Sequence, residues 1–240
     1  MKIWNLFKRE KKVEKQQQIT LKENNYLLEN INKKITPNTF TSVSRRQFIQ
    51  TLSKHNFEPE QWFGSAEYAH NPDEFQIFAG DIEKEGELRF GAMNLLVIGS
   101  ISTTWLNTIN ETSEGGSLFV TNAVECDFFS NYYGKLTVIG GNLHAKKIIN
   151  NEFYDAALVV KKNLKTEYFH GVDIWAEVGG SITMSYGNGY CLPIGYDNPS
   201  RQHIKPQYDE VVSKAFLGIN DDTQENINAL ILSKLANYKL

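Results

Sequence analysis

The chain has 240 residues, 41% of them hydrophobic, with a formal charge of −3 and a pI near 6.0. That is enough apolar material for a substantial core in one large or two small domains, and the balance of charge gives no bulk attraction to nucleic acid. Two cysteines make no disulfide framework and fit a reducing, cytoplasmic setting, and no apolar run reaches the ~18 residues of a membrane-spanning helix.

Residues 1–18 carry Lys2, Lys8, Arg9, Lys11, Lys12 and Lys15 against Glu10 and Glu14, beside Ile3, Trp4, Leu6 and Phe7. With no small-residue cleavage site and no uninterrupted apolar core, this does not read as a secretory signal. A flexible, solvated tail is the plain reading. The alternative is a weak membrane-surface contact through Met1–Lys15, basic residues flanking an aromatic and apolar side.

Residues 19–75 read as an N-terminal helical cap region. Leu21, Tyr26, Leu27, Leu28, Ile31 and Ile35 suit one helical face, ending before Pro37 because proline disfavours helix in the residue ahead of it. Ser44-Arg45-Arg46-Gln47-Phe48-Ile49 matches the twin-arginine export phrase, but the polar Gln50–Asn56 follows where an apolar segment is required. The same residues make a good helix start: Ser44 as N-cap, Gln47 reaching back to it, and Val43 packing on Phe48. A helix from about Arg45 to His55 with Phe48 and Leu52 inward is therefore expected, followed by another helical turn near Pro59.

From residue 76 to 192 the helical period gives way to a phrase of the form apolar, small or polar residues, apolar. Its openings are Phe78, Val97, Val120, Ile139, Val160 and Val178, spaced 19, 23, 19, 21 and 18 residues apart. A period near 20 is the mark of a stacked repeat. Alternate residues of a strand face opposite sides, so the positions two before, at, four after and six after each opening line one interior. Glycine at the phrase centre (Gly80, Gly99, Gly141, Gly180) marks a corner needing positive φ or close stacking. Each coil is expected to hold three short strands with two tight corners. Either Val138 or Ile139 could face inward, so a bulge is expected near Gly140.

The outward rows give Glu125, His144 and Lys165 in one column and Asp127, Lys146 and Glu167 in the next, with Lys147 placed in the following aromatic column. Opposite charges on neighbouring rungs stabilise the stack by about 0.2–1 kcal/mol each. Residues 193–240 read as a C-terminal helical cap, with Tyr208–Phe216 as one helix. Asp222–Tyr238 is a second, with Ile227, Leu230, Ile231, Leu235 and Tyr238 on one face. Open solenoid ends need capping. The expected fold is thus mainly β: a right-handed parallel β-helix (β-solenoid) of about six coils with α-helical caps at both ends.

Catalytic motifs are missing from the text: no phosphate loop, no paired metal-ligand histidines, no Cys-x-x-Cys, no Gly-x-Ser-x-Gly. No cofactor, metal or catalytic residue is expected. Cys126 sits at an inward position and reads as an inert, buried thiol. The acids of the outward rows have basic neighbours, which favours structure over glycoside chemistry. The irregular corners differ from a plain scaffold. They bring together Tyr132, Tyr133, Phe153, Tyr154, His170, Asp173, Trp175 and Tyr190, an aromatic and acidic set suited to binding another protein. The alternative is that these aromatics fold back over the corner.

The run Gly134-Lys135-Leu136-Thr137-Val138-Ile139-Gly140-Gly141-Asn142-Leu143-His144-Ala145 resembles the repeat of bactofilin-like bacterial β-solenoids, the polymer-forming cytoskeletal type, over about residues 76–192. That resemblance implies polar tails and end-to-end polymerisation. The expected helical caps and irregular corners depart from it, and similar solenoids also occur as small partner-binding proteins, including immunity proteins that neutralise a toxin. A non-enzymatic protein-binding module of immunity or antitoxin type, monomeric or a small oligomer, is the leading expectation. The alternatives are a bactofilin-like filament scaffold and a glycan-binding or glycan-processing β-helix.

Overall fold

The computed structural model describes residues 35–58, 73–91, 93–108, 116–132, 136–188, 194–197 and 202–204. The basic tail 1–18 and the helices expected before Ile35, near Pro59 and after Ile204 lie outside the described residues.

The repeats form a parallel β-solenoid with two ladders joined at the recurring phrase. The first ladder stacks β2 (Phe75–Ala79), β4 (Asn94–Ile98), β6 (Ser117–Val120) and β8 (Leu136–Ile139). It continues through the second half of β9 (Leu143–Val160), the second half of β10 (Leu164–Val178), and β12 (Ile194–Asp197). The second ladder stacks β3 (Ile82–Arg89), β5 (Ile101–Asn107), β7 (Val124–Tyr132), the first halves of β9 and β10, and β11 (Ile182–Asn188). The six phrases are six successive corners, so they bound about five full turns rather than six. The chain turns sharply at each recurring phrase, and on the return side β9 and β10 run on as continuous strands, without the second tight corner expected there.

Inside the coils the expected columns hold. Leu95, Leu118, Thr137 and Leu158 stack in one, Val97, Val120, Ile139 and Val160 in the next, and Ile101, Val124, Leu143 and Leu164 in a third, all buried. Ile139 belongs to this interior, and Val138 faces the other way. No bulge forms at Gly140, where the ladder bond from Gly140 N–H to Val120 O is kept at 2.8 Å. The extra residue sits further along β9. Ala145 pairs with Cys126 and Thr166, but Ile148 pairs with Phe128 and Tyr168, so Lys146 and Lys147 together oppose a single residue on each neighbouring rung. Ile148, not Lys147, therefore joins the aromatic column.

The corners explain the glycines. A methyl group on Gly141 would stand 2.6 Å from the Asn122 carbonyl, because consecutive corners touch backbone to backbone. Gly80, in the first coil, instead adopts φ +138, a region costly to any side chain. One residue on, side-chain oxygens stitch the stack. Asp81 Oδ1 accepts from Ser100 N–H at 2.7 Å, Asn142 Oδ1 from Asn163 N–H at 3.1 Å, and Asn163 Oδ1 from Ser181 N–H and Oγ at 2.9 Å each. A corner strips backbone donors of sheet partners, and these Asx side chains supply acceptors.

Helix α1 (Arg45–Lys54) forms as expected. Gln47 N–H donates to Ser44 Oγ at 3.3 Å and Ser44 N–H to Gln47 Oε1 at 3.0 Å, a complete capping box. Its end is a Schellman motif: Asn56 takes φ 60, Phe57 N–H reaches Leu52 O at 3.1 Å and Asn56 N–H reaches Ser53 O at 3.1 Å. Phe48 and Leu52 face inward, but the helix does not cap an end. Together with Phe57 it lies on the outer face of the first ladder, against Phe75, Ile77, Leu96, Phe119, Leu136, Val138 and Val159. The end of that ladder is instead closed by β1 (Phe40–Ser42), antiparallel to β2, and its far end by β13 (Gln202–Ile204), antiparallel to β12. A single antiparallel strand satisfies one edge of a ladder and, running against the repeat, interrupts it.

Candidate functional site

Of the expected corner set, His170 is only 2% exposed and is packed into the wall, in β10 at the return of the fifth coil. Trp175 is 44% exposed, but it is not in a corner: it lies in the first-ladder half of β10, paired with Ala157. Tyr132 lies in β7, Phe153 and Tyr154 in β9 and Asp173 in β10. Tyr133 and Tyr190 are outside the described residues. The neighbouring Asn131, which belonged to the same polar-aromatic corner text, is buried and structural. Its Oδ1 accepts from Thr108 Oγ1 and Thr137 Oγ1 at 2.9 Å each, and its Nδ2 donates to Ala157 O at 3.1 Å. This pairing is what allows a threonine, Thr137, among the leucines of its interior column. The sequence held only a weak signal of it, a polar residue set between Leu118 and Leu158 in that column.

The position of Trp175 follows from the register. Its column on the outer face runs Phe75, Asn94, Ser117, Leu136, Ala157, Trp175. Through Leu136 this column is buried, with Asn94 Oδ1 accepting from Ser117 Oγ at 2.8 Å. Lys161 Nζ, in the fifth coil, donates to Asn56 O at 2.5 Å and lies 5.1 Å from the Phe57 ring, which fixes the tail of α1. One rung later Trp175 projects into solvent with its Nε1 donating to Glu177 Oε2 at 3.4 Å. Phe40, 52% exposed on β1, is the other large apolar side chain so placed among the described residues, and it stacks on Phe78 at 5.0 Å.

The outer face of the second ladder is polar. Lys146 pairs with Asp127 at 3.3 Å and Lys147 with Glu167 at 3.5 Å. The bulge thus splits the expected Asp127–Lys146–Glu167 row, giving one lysine to each neighbouring rung. An open depression of about 390 Å³ lies beside them, lined by residues including Glu83, Glu85, Thr104, Asp127 and Lys146. Among the described residues no group of three His, Cys, Asp or Glu side chains is placed to hold a metal ion. Burial pushes the Cys126 thiol well above its ordinary range, which suppresses the reactive thiolate. Burial, and then the neighbouring Lys54 charge, hold His55 below its usual value.

The architecture therefore belongs to the class of parallel β-solenoids. No family model, curated protein or solved structure matches the chain.

Proposed function

We propose that the chain is a non-enzymatic module that binds another protein, of the immunity or antitoxin kind, and works as a monomer or small oligomer. The observation that carries this reading is how the solenoid terminates. β1 and β13 run antiparallel at the two ends of the first ladder. At the start of the second ladder β3 carries Glu83, Lys84, Glu85, Glu87 and Arg89, with an irregularity at Gly86, φ 83. Charge and a bulge on an edge strand oppose the stacking of a further copy, which favours a module over a bactofilin-like filament. Asp127 and Glu167 are each engaged by a lysine, and this favours binding over glycoside chemistry.

The partner-binding surface is centred on Trp175, since an exposed tryptophan at the end of a column that is buried through Leu136 suits an interface anchor. Light scattering on the eluting protein over a wide concentration range tests the first half: a constant mass of one or a few chains is expected, and growth into long assemblies overturns the module. Trp175→Ala tests the second half. It is expected to weaken capture of the native partner at least tenfold while Phe40→Ala leaves it, and equal capture by both variants rejects the surface.

A further inference from the structure

The outer face of the second ladder sorts its charges by position. Counted from β3 to β11 it has six rungs, and its first outward column runs Glu83, Ser102, Glu125, His144, Lys165, Thr183. All are exposed except His144, which is half-buried. Acids hold the first and third rungs and the base holds the fifth. The flanking rungs of the column do not compensate them: Glu125 lies between Ser102 and His144, and Lys165 between His144 and Thr183. Further along the strands, Glu85 and Asp127 again fall in the first half and Lys146 and Lys147 in the second. Lys84 and Glu167 are the exceptions, and Glu167 is held by Lys147; Glu87 and Arg89 pair with each other at 3.0 Å. A face acidic at one end and basic at the other is complementary to itself turned end for end.

We propose that this face pairs with the same face of a second copy of the chain, in a twofold dimer whose axis runs along the strands between the third and fourth rungs. The first rung then meets the sixth, the second the fifth and the third the fourth. Lys165 of the second copy faces Ser102, with Glu83 and Glu125 one rung spacing, ~4.8 Å, to either side, and symmetry makes the same contact twice. Asp127 meets Lys146 of the second copy in the next column. The receiving half is already concave: the depression of about 390 Å³ has Glu83, Glu85, Ser102 and Thr104 in its lining. Charge also fixes the register, because a slip of one rung sets Glu125 against Glu125 or His144 against His144. Five rung spacings and strands of seven residues give a face of roughly 550 Å² per copy. The dimer therefore buries about 1,100 Å², just above the ~1,000 Å² that a specific contact needs. Trp175 lies on the first ladder, so the dimer leaves that surface open.

The test measures the mass of the full chain by light scattering at about 100 μM, enough to populate a dimer of micromolar affinity. Two chains are expected at about 0.1 M salt, with association at least tenfold weaker at about 1 M, where the screening length has fallen from about 10 Å to about 3 Å. Glu83→Lys combined with Glu125→Lys, and separately Lys165→Glu, should each give a single chain at the lower salt. An equimolar mixture of these two variants should recover the mass of two chains, since each reversed half then meets its opposite; recovery also shows that both variants are folded. A native chain that stays single at the lower salt, a dimer indifferent to salt, variants that dimerise unaided, or a mixture that stays single overturns the proposal. A single chain throughout leaves the protein-binding module standing, whereas growth into long assemblies overturns both, so the two failures are distinguishable.

Discussion

Replacing Gly141 by alanine inserts one methyl group between the corners of two stacked coils. The added carbon would lie 2.6 Å from the Asn122 carbonyl and 2.8 Å from Ala123 N. Both are backbone atoms held by the ladder, so no flexible side chain can move aside. Restoring an ordinary contact of about 3.4 Å means opening the corner by roughly 0.8 Å. The bond from Gly141 N–H to Asn122 O, now 2.9 Å, would then pass beyond the usual ~3.2 Å limit. Overpacking of this kind costs about 1–3 kcal/mol and a lost hydrogen bond about 1 kcal/mol. Restriction of the unfolded chain returns about 0.4–1 kcal/mol. The net destabilisation is about 1–3 kcal/mol. Gly91→Ala is the reference, since a methyl there meets nothing within 4 Å. In urea unfolding followed by far-UV circular dichroism, with an m-value of about 2–3 kcal/mol/M, Gly141→Ala should lower the midpoint by about 0.3–1.5 M and Gly91→Ala should leave it unchanged or raise it slightly. If both variants unfold at the same urea concentration, corner stacking does not limit this fold.

Asn163→Ala removes the acceptor of two bonds from Ser181 and should cost about 0.5–1.5 kcal/mol per bond, with amide exchange accelerating at Ser181 and not in the first coils. Ser44→Ala should cost about 1 kcal/mol in the same unfolding assay, and Ser44→Asp should restore most of it. The raised thiol of Cys126 makes stability depend on alkaline pH. The folded state keeps its proton, while the unfolded state loses it above about pH 8.5. The contribution is thus complete below that pH and declines by about 1.4 kcal/mol per unit above it. Cys126→Ala, weaker at neutral pH through lost packing, should show a flatter decline between pH 8.5 and 10, and parallel curves for the two proteins would refute the assignment.

The period near 20 and the alternation within each phrase were sufficient to place Val97, Val120, Val160 and their neighbours in one interior, because a stacked coil repeats the same environment at every pass. The capping box of α1 was equally legible, since its bonds join residues three apart. What the text could not convey was where extra residues are absorbed. The bulge at Lys146 and Lys147 exists because three parallel rungs must agree on a register, and that agreement turned an expected charged row into two separate pairs. His170 looks like a recognition residue in one dimension; its burial, and the pairing of the buried Asn131 with Thr108 and Thr137, are three-dimensional facts. The same holds for α1, whose apolar face was plain in the sequence. That it lies along the flank and not over an end was decided by Phe119, Val138 and Val159, residues distant in the chain that align into its docking stripe only when the coils stack.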